Sequence, residues 1–367
     1  MSDVRAPRRT TATGGAAVAA VVAAAVLVAT VVVAVTIGPA ALSPADVWHV
    51  VATRLGLGDV LGHAAPDRLV DGMVWQLRLP RVLTAAAVGA GLAVCGVVMQ
   101  ALTRNPLADP YLLGLSSGAS LGAACVLVLG ATVLLPVAAF VGATAALAAT
   151  LLLAAAAGRG AGAGTGGLTP TRTVLAGLAV SQLAAAATSF VIFWSAKGDQ
   201  YREILSWLMG SVAGATWTSV AIAGGAALVL GTLLASTGSM LDAFTFGDTA
   251  AIVALRPVRA AALGVPVARV RWVLLVGVAL LTGALVSQSG SIGFVGLILP
   301  HAVRVLTGAR HRALLPLSAL CGATFLVWAD TLARTVFEPR ELPVGIVTAA
   351  IGAPVFALLL WRGRARS

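Results

Sequence analysis

The 367-residue chain is 59% hydrophobic and only 10% charged, and its mean hydropathy of +0.99 excludes a soluble globule. The net charge of +11 does not point to nucleic acid, because no basic run is interleaved with aromatics and Lys197 is the only lysine. The bilayer is the solvent, and the composition fits a polytopic, all-α membrane protein.

At the N-terminus, Arg5, Arg8 and Arg9 precede an apolar run from Ala16 to Ile37. The run is too long for the apolar core of a secretory signal, so it reads as a retained first span behind a cytoplasmic tail, residues 1–14. Counting apolar runs along the chain predicts about ten transmembrane helices, near 15–37, 80–102, 111–130, 132–157, 173–195, 212–235, 272–288, 291–307, 313–333 and 343–361. They form one transmembrane domain, 15–361, followed by a cytoplasmic tail, 362–367. An even number of spans puts both termini on one side. With the N-terminus cytoplasmic, the inside segments hold sixteen Lys and Arg against four acids, and the outside segments hold eight against nine. That asymmetry follows the positive-inside rule. The eighth span is short and carries His301 and Arg304 near its end; His301 reads as a helix-end residue capping carbonyls.

Between the first two spans, Ser43-Pro44-Ala45-Asp46 reads as the start of an amphipathic surface helix with Trp48 as an interfacial anchor. Arg78 and Arg81 then stand three residues apart, a spacing that makes one basic patch on a helical first turn. The uncharged run Val82 to Leu102 is on the order of 30 Å as a helix, the thickness of a hydrocarbon core. Thr103 to Pro110 carries two prolines and Asn105, so the helix stops and the chain turns before Tyr111. Gly114, Gly118 and Gly122 recur every fourth residue, a face for close helix approach.

Further along, Pro170-Thr171 breaks the chain between the fourth and fifth spans, and Lys197 to Ser211 suits a short helix at the outer surface. The longest inside loop, about residues 236–271, holds amphipathic pieces at 249–255 and 260–263, broken by Pro257 and Gly264. Cys95, Cys125 and Cys321 lie in apolar segments and read as small core residues. No catalytic constellation is present: His49, His63, His301 and His311 have no metal-ligand spacing, and no cofactor is implied. A phosphate-binding loop ending in Gly-Lys-Ser/Thr is absent, so ATP hydrolysis would have to reside on another chain. The spans lack Asp, Glu and Lys, with Asp330 at a span end the marginal case, which disfavours a proton- or sodium-coupled carrier.

Two stretches carry a resemblance. Arg78 to Ala119 contains R-L-P-R followed by G-x-x-M-Q-A-L-x-x-N-P-L-A-D-P-x-x-L-G-x-S-x-G-A, and Ser289 to Arg304 reads S-G-S-I-G-F-V-G-L-I-L-P-H-A-V-R. Both resemble the FecCD-type permeases of ATP-binding-cassette importers for iron-siderophores, haem and vitamin B12. Ala329 to Arg334, Glu341 to Gly345 and Gly352 to Phe356 extend the likeness over nearly the whole chain. The resemblance implies a non-catalytic permease in a bacterial inner membrane, working as a homodimer or with a related permease. Its partners would be two ATPase subunits and a periplasmic or lipid-anchored binding protein. It assigns Arg78, Arg81 and Arg334 to binding-protein docking, and Asn105, Pro106, Leu107, Pro170 and Thr171 to a cytoplasmic gate. Gly247, Asp248, Leu263 and Gly264 fall to ATPase coupling. About nine extra residues between Gly247-Asp248 and Leu263-Gly264 depart from the family pattern and shift the register of the coupling helix. A ferric siderophore ranks first as cargo, ahead of cobalamin or haem; a secondary transporter or membrane scaffold is the reading from another class.

Overall fold

The computed structural model describes residues 11–38, 40, 42–57, 66–159, 169–245, 267–308 and 310–364, and all regular structure among them is helical. The first helix, α1 (Thr11–Thr36), is peripheral. A capped surface helix, α2 (Pro44–Arg54), follows: the Ser43 hydroxyl accepts from the Asp46 amide, and the Asp46 carboxylate accepts from Ser43. Those bonds hold the Asp46 carboxyl below the ordinary carboxylate range. Trp48 is exposed, as an interfacial anchor requires.

Next come α3 (Arg68–Thr103), which is π-helical over Gly72–Arg78, a 3₁₀ turn at Pro110–Leu113, and α4 (Leu115–Leu127). The chain continues through α5 (Leu135–Arg159), α6 (Pro170–Ser195), the surface helix α7 (Gln200–Met209), α8 (Trp217–Ser236) and α9 (Gly238–Thr245). It ends with α10 (Val267–Ser289), α11 (Val295–Thr307), α12 (His311–Thr335) and α13 (Val344–Arg364). Each of the ten expected spans has its helix. Seven are long and apolar enough to cross a membrane, whereas Leu115–Leu127, Val295–Thr307 and Val344–Leu359 are shorter. At thirteen residues, α4 and α11 reach only about 20 Å, short of a hydrocarbon core.

The third span is therefore corrected. Asp109 Oδ1 accepts the Tyr111 amide at 2.9 Å, Pro110 opens a 3₁₀ turn, and Gly114 at φ +84° breaks the run before α4 begins. His301 is corrected too. It lies inside α11, which runs through Pro300 to Thr307 and is closed by the Gly308 amide on Arg304 O. The coupling residues Gly247, Asp248, Leu263 and Gly264, with the helical pieces drawn at 249–255 and 260–263, lie outside the described residues.

The most buried helix is α3, packed against α8, α10, α11 and α12, while α1 touches the bundle mainly along α12. Small residues set how closely the helices approach. A Cβ on Gly118 of α4 would lie 2.3 Å from Gly142 O of α5, and one on Gly89 of α3 would lie 2.2 Å from Gly322 O of α12. In lipid, where burial of apolar surface gives no drive between helices, such backbone contact is a main source of association. Gly118→Ala and Gly89→Ala should each lower stability in detergent by about 1–3 kcal/mol, since backbone must move to admit the methyl group. Gly224→Ala, with no atom near its Cβ position, should not. Thermal unfolding of the three variants checks this.

Candidate functional site

At one end of the bundle, three arginines meet the chain's own acceptors. At the end of α1, Thr36 Oγ1 donates to Val33 O at 2.7 Å, and basic groups at a helix C-terminus interact favourably with the carbonyl oxygens that remain. Arg78 Nη1 donates to Val35 O and Thr36 O, both at 3.0 Å, and Nη2 to Ala40 O at 2.5 Å. Arg334 Nη2 donates to Ala34 O at 2.6 Å. Arg81 faces elsewhere. Its Nε reaches Asp330 Oδ2 at 2.9 Å, Nη2 reaches Oδ1 at 2.9 Å, and Nη1 reaches Glu341 Oε2 at 2.8 Å.

The sequence reading places Arg78, Arg81 and Arg334 together on an outer surface. The structure does gather them at one end, but each is buried, at 8%, 7% and 4% exposure. Arg78 and Arg81 serve different neighbours, α1 and α12, instead of forming one patch. Asp330 is 1% exposed and fully engaged with Arg81, so it is a structural counter-ion. Sequence spacing held no sign of these pairings, because Asp330 and Glu341 are 249 and 260 residues from Arg81.

The two signature stretches meet in the middle of the molecule. After α3, Arg104 adopts the left-handed conformation (φ +52°) and the chain turns back to Pro110–Leu113. After α10, Gly290 (φ +63°) and Phe294 (φ +70°) bracket a non-helical stretch before α11. Two interrupted helices inside a membrane domain leave backbone groups that need partners from the protein itself. Tyr111 supplies them to Ile292: its hydroxyl donates to Ile292 O at 3.0 Å and lies 3.2 Å from the Ile292 amide. The hydroxyls of Ser116 and Ser291 are 2.6 Å apart, and the Ser211 amide donates to Ser289 O at 2.8 Å.

Pro300 adds a further requirement, because it cannot donate to the carbonyl of Gly296 four residues back. Gln100 of α3 fills the gap: its Nε2 lies 3.5 Å from Gly296 O and 3.1 Å from Leu297 O, and its Oε1 accepts from Arg304 Nη2 at 3.1 Å. That explains a glutamine inside an apolar run. Beside this junction lies a cavity of about 310 Å³, walled by Tyr111, Leu178, Phe294 and Leu297, with Asp109 and Ser181 at its edge.

The expected gate residues sit at turns. Asn105 Oδ1 accepts the Leu107 amide at 2.9 Å, and Asn105, Pro106 and Leu107 are exposed. Pro170 occupies the first position of α6 behind the cap Thr169, and Thr171 is exposed. Among the described residues, no three His, Cys, Asp or Glu side chains group as metal ligands.

Residues 26–362 match the FecCD transport family. The chain belongs to that family. It is 40% identical over 321 residues to the uncharacterized ABC transporter permease protein YvrB of Bacillus subtilis, covering 86% of this chain and 84% of that one. Likewise it is 40% identical over 300 residues to the vitamin B12 import system permease protein BtuC of Vibrio cholerae, covering 82% and 86%. To the hemin transport system permease protein HmuU of Yersinia pestis it is 40% identical over 295 residues, covering 79% and 84%. Its fold is similar to that of a metal-chelate type ABC transporter in an inward-facing conformation, with a TM-score of 0.76, 31% identity, and 94% and 98% of the two chains covered. This FecCD member is thus a multi-pass, non-catalytic permease subunit of an ABC importer for metal chelates, and ATP hydrolysis belongs to a separate chain.

Within this permease, removing one partner of the buried pair should be costly. Arg81→Gln leaves Asp330 uncompensated and is expected to destabilise the subunit by about 3–5 kcal/mol, whereas Arg81→Gln with Asp330→Asn should recover part of that loss. Thermal unfolding in detergent of the single and double variants measures the coupling.

Proposed function

We propose that this permease carries a ferric siderophore, with cobalamin or haem as the alternative cargo, through a path bordered by the junction of its two interrupted helices. The observation that carries this reading is the match to the FecCD transport family over residues 26–362; the cavity at the junction, lined mainly by Tyr111, Leu112, Leu178, Phe294 and Leu297 with Asp109 and Ser181, borders the proposed path and holds no lysine or arginine that would select a small anion. Asp330 offers no site for a coupling proton or sodium ion, because it is locked on Arg81, and Asp109 at the cavity is engaged by the Tyr111 amide. In the family arrangement two permeases, identical or related, would pair with two ATPases. Native mass spectrometry of the assembled importer tests that stoichiometry.

The charge asymmetry supports a cytoplasmic location for both termini. In that orientation the turn at Asn105, Pro106 and Leu107 and the start of α6 at Pro170 and Thr171 would lie at the inner face, where we read them as the gate on the family resemblance. Residues 246–266, with Gly247, Asp248, Leu263 and Gly264, would meet the ATPase. At the outer mouth Arg78, Arg81 and Arg334 would frame the surface that receives the binding protein. Glu341 gives that role a route: its side chain is 41% exposed while it holds Arg81 Nη1, so an incoming carboxylate could take its place.

Uptake by proteoliposomes containing the permease, its ATPase and its binding protein should be ATP-dependent and saturable for a labelled ferric siderophore. Transport of labelled cobalamin or haem alone would reassign the cargo. Glu341→Gln should tighten binding-protein docking by about two- to fivefold at low salt, the scale of one exposed ion pair. Unchanged docking, measured by surface plasmon resonance, would leave the arginines with their structural role only.

A further inference from the structure

We propose that Asp242 and His311 form a latch that fixes the ATPase-coupling segment to α12, so that movement of the segment reaches the transmembrane bundle. The inference rests on the reading above that residues 246–266 meet the ATPase. It concerns the helix that leads into them, α9, and the way that helix is held.

Asp242 Oδ1 accepts two bonds from one residue, the His311 amide at 2.9 Å and His311 Nδ1 at 2.7 Å. Because His311 opens α12, its amide is one of the donors left without an intrahelical partner, and a carboxylate there also complements the helix dipole. The imidazole is 2% exposed, and Nδ1 carries the proton it donates, as the carboxylate partner requires. One turn earlier on α9, Gly238 makes a second contact with the same place: a Cβ there would lie 3.0 Å from the Arg312 amide nitrogen and 3.2 Å from His311 C. Residues four apart share a helix face, so α9 lies against the first turn of α12 through both.

Apolar contacts anchor α9 as well. Leu241 and Phe244 are fully buried, and the Arg271 guanidinium stands 5.7 Å from the centre of the Phe244 ring. Phe244 lies just before the coupling segment and Arg271 just after it, so this contact joins the two ends of the segment. The first end is then fastened to α12 by Asp242. From His311, α12 runs 25 residues, about 37 Å, and carries Asp330 near its far end, held by Arg81. A pull at Asp242 is therefore applied to the first turn of α12, while the far end of that helix stays held by Arg81.

His311 and Asp242 are positioning residues, and a merely structural role would not alter the ratio of transport to hydrolysis. The test uses the full importer in proteoliposomes, with Asp242→Ala, which removes the acceptor, and His311→Phe, which keeps the ring volume but removes Nδ1–H. Both should still assemble with the ATPase and hydrolyse ATP, while substrate moved per ATP falls by about fivefold or more, the lower end of typical coupling between sites. Asp242→Asn, which keeps a carbonyl oxygen for both donors, should retain most of the coupling. A wild-type ratio in Asp242→Ala and His311→Phe overturns the latch, and so does loss of ATPase binding in step with loss of transport. If wild-type permease binds no ATPase at all, the underlying coupling reading fails, a result independent of these variants.

Discussion

A guanidinium placed inside a helix bundle in lipid must find counter-charge and acceptors within the protein, because the desolvation penalty amounts to several kcal/mol per ion. Arg81 meets that demand with Asp330 and Glu341. The rest of the frame follows from it. Helix α3 runs through the centre and α12 lies along it with backbone contact at Gly89 and Gly322, so an ion pair at one end and a glycine contact further along fix one register for the two helices. Arg78 from α3 and Arg334 from α12 then capture the carbonyls that end α1, fastening a peripheral helix that touches the bundle mainly along α12. A buried pair of this kind adds little net stability over an apolar replacement; its value lies in excluding other registers.

Around this frame sit elements of a different character. The turn after α3 and the break between α10 and α11 are held by hydroxyl and amide side chains: Tyr111 on Ile292, Ser116 on Ser291, and Gln100 on the carbonyl that Pro300 leaves without its helical donor. Such bonds can be exchanged for others at modest cost, whereas the frame's ion pair cannot be opened without exposing a charge to lipid. Under the proposed function, the interrupted helices and the turns beside them are where motion costs least. A transporter needs that division, with a fixed scaffold around a path that opens and closes.

Much of this was legible in the sequence, for local reasons. Apolar runs of span length, Pro and Gly at breaks, and the Ser43 to Asp46 cap act over a few residues, and all ten helices and the surface helices α2 and α7 were found from them. The turn through Thr103 to Pro110 was legible, but the break inside the third span was less visible, because Tyr111, Leu112 and Leu113 look like the start of the apolar run and Gly114 reads as a packing residue. His301 read as a helix-end residue because it lies near the end of a short apolar run. Pro300 sits inside α11 and leaves Gly296 O without its helical donor; Gln100 reaches that carbonyl, and α11 continues to Thr307. Partners distant in sequence were out of reach: nothing near Arg81 announces Asp330 or Glu341, and the arginines therefore read as a surface patch when they are buried.

The proposed transport cycle needs a rigid frame built on Arg81 and Asp330 around a pathway whose inner mouth moves. Distances between spin labels in the reconstituted importer address it directly, with one pair on exposed Leu77 and Leu332 at the frame and another on exposed Leu107 and Thr171 at the inner turns. Between nucleotide-free and ATP-trapped states, the account predicts that the 77–332 distance stays constant while the 107–171 distance changes. A constant 107–171 distance, or a 77–332 distance that changes as much, would contradict it.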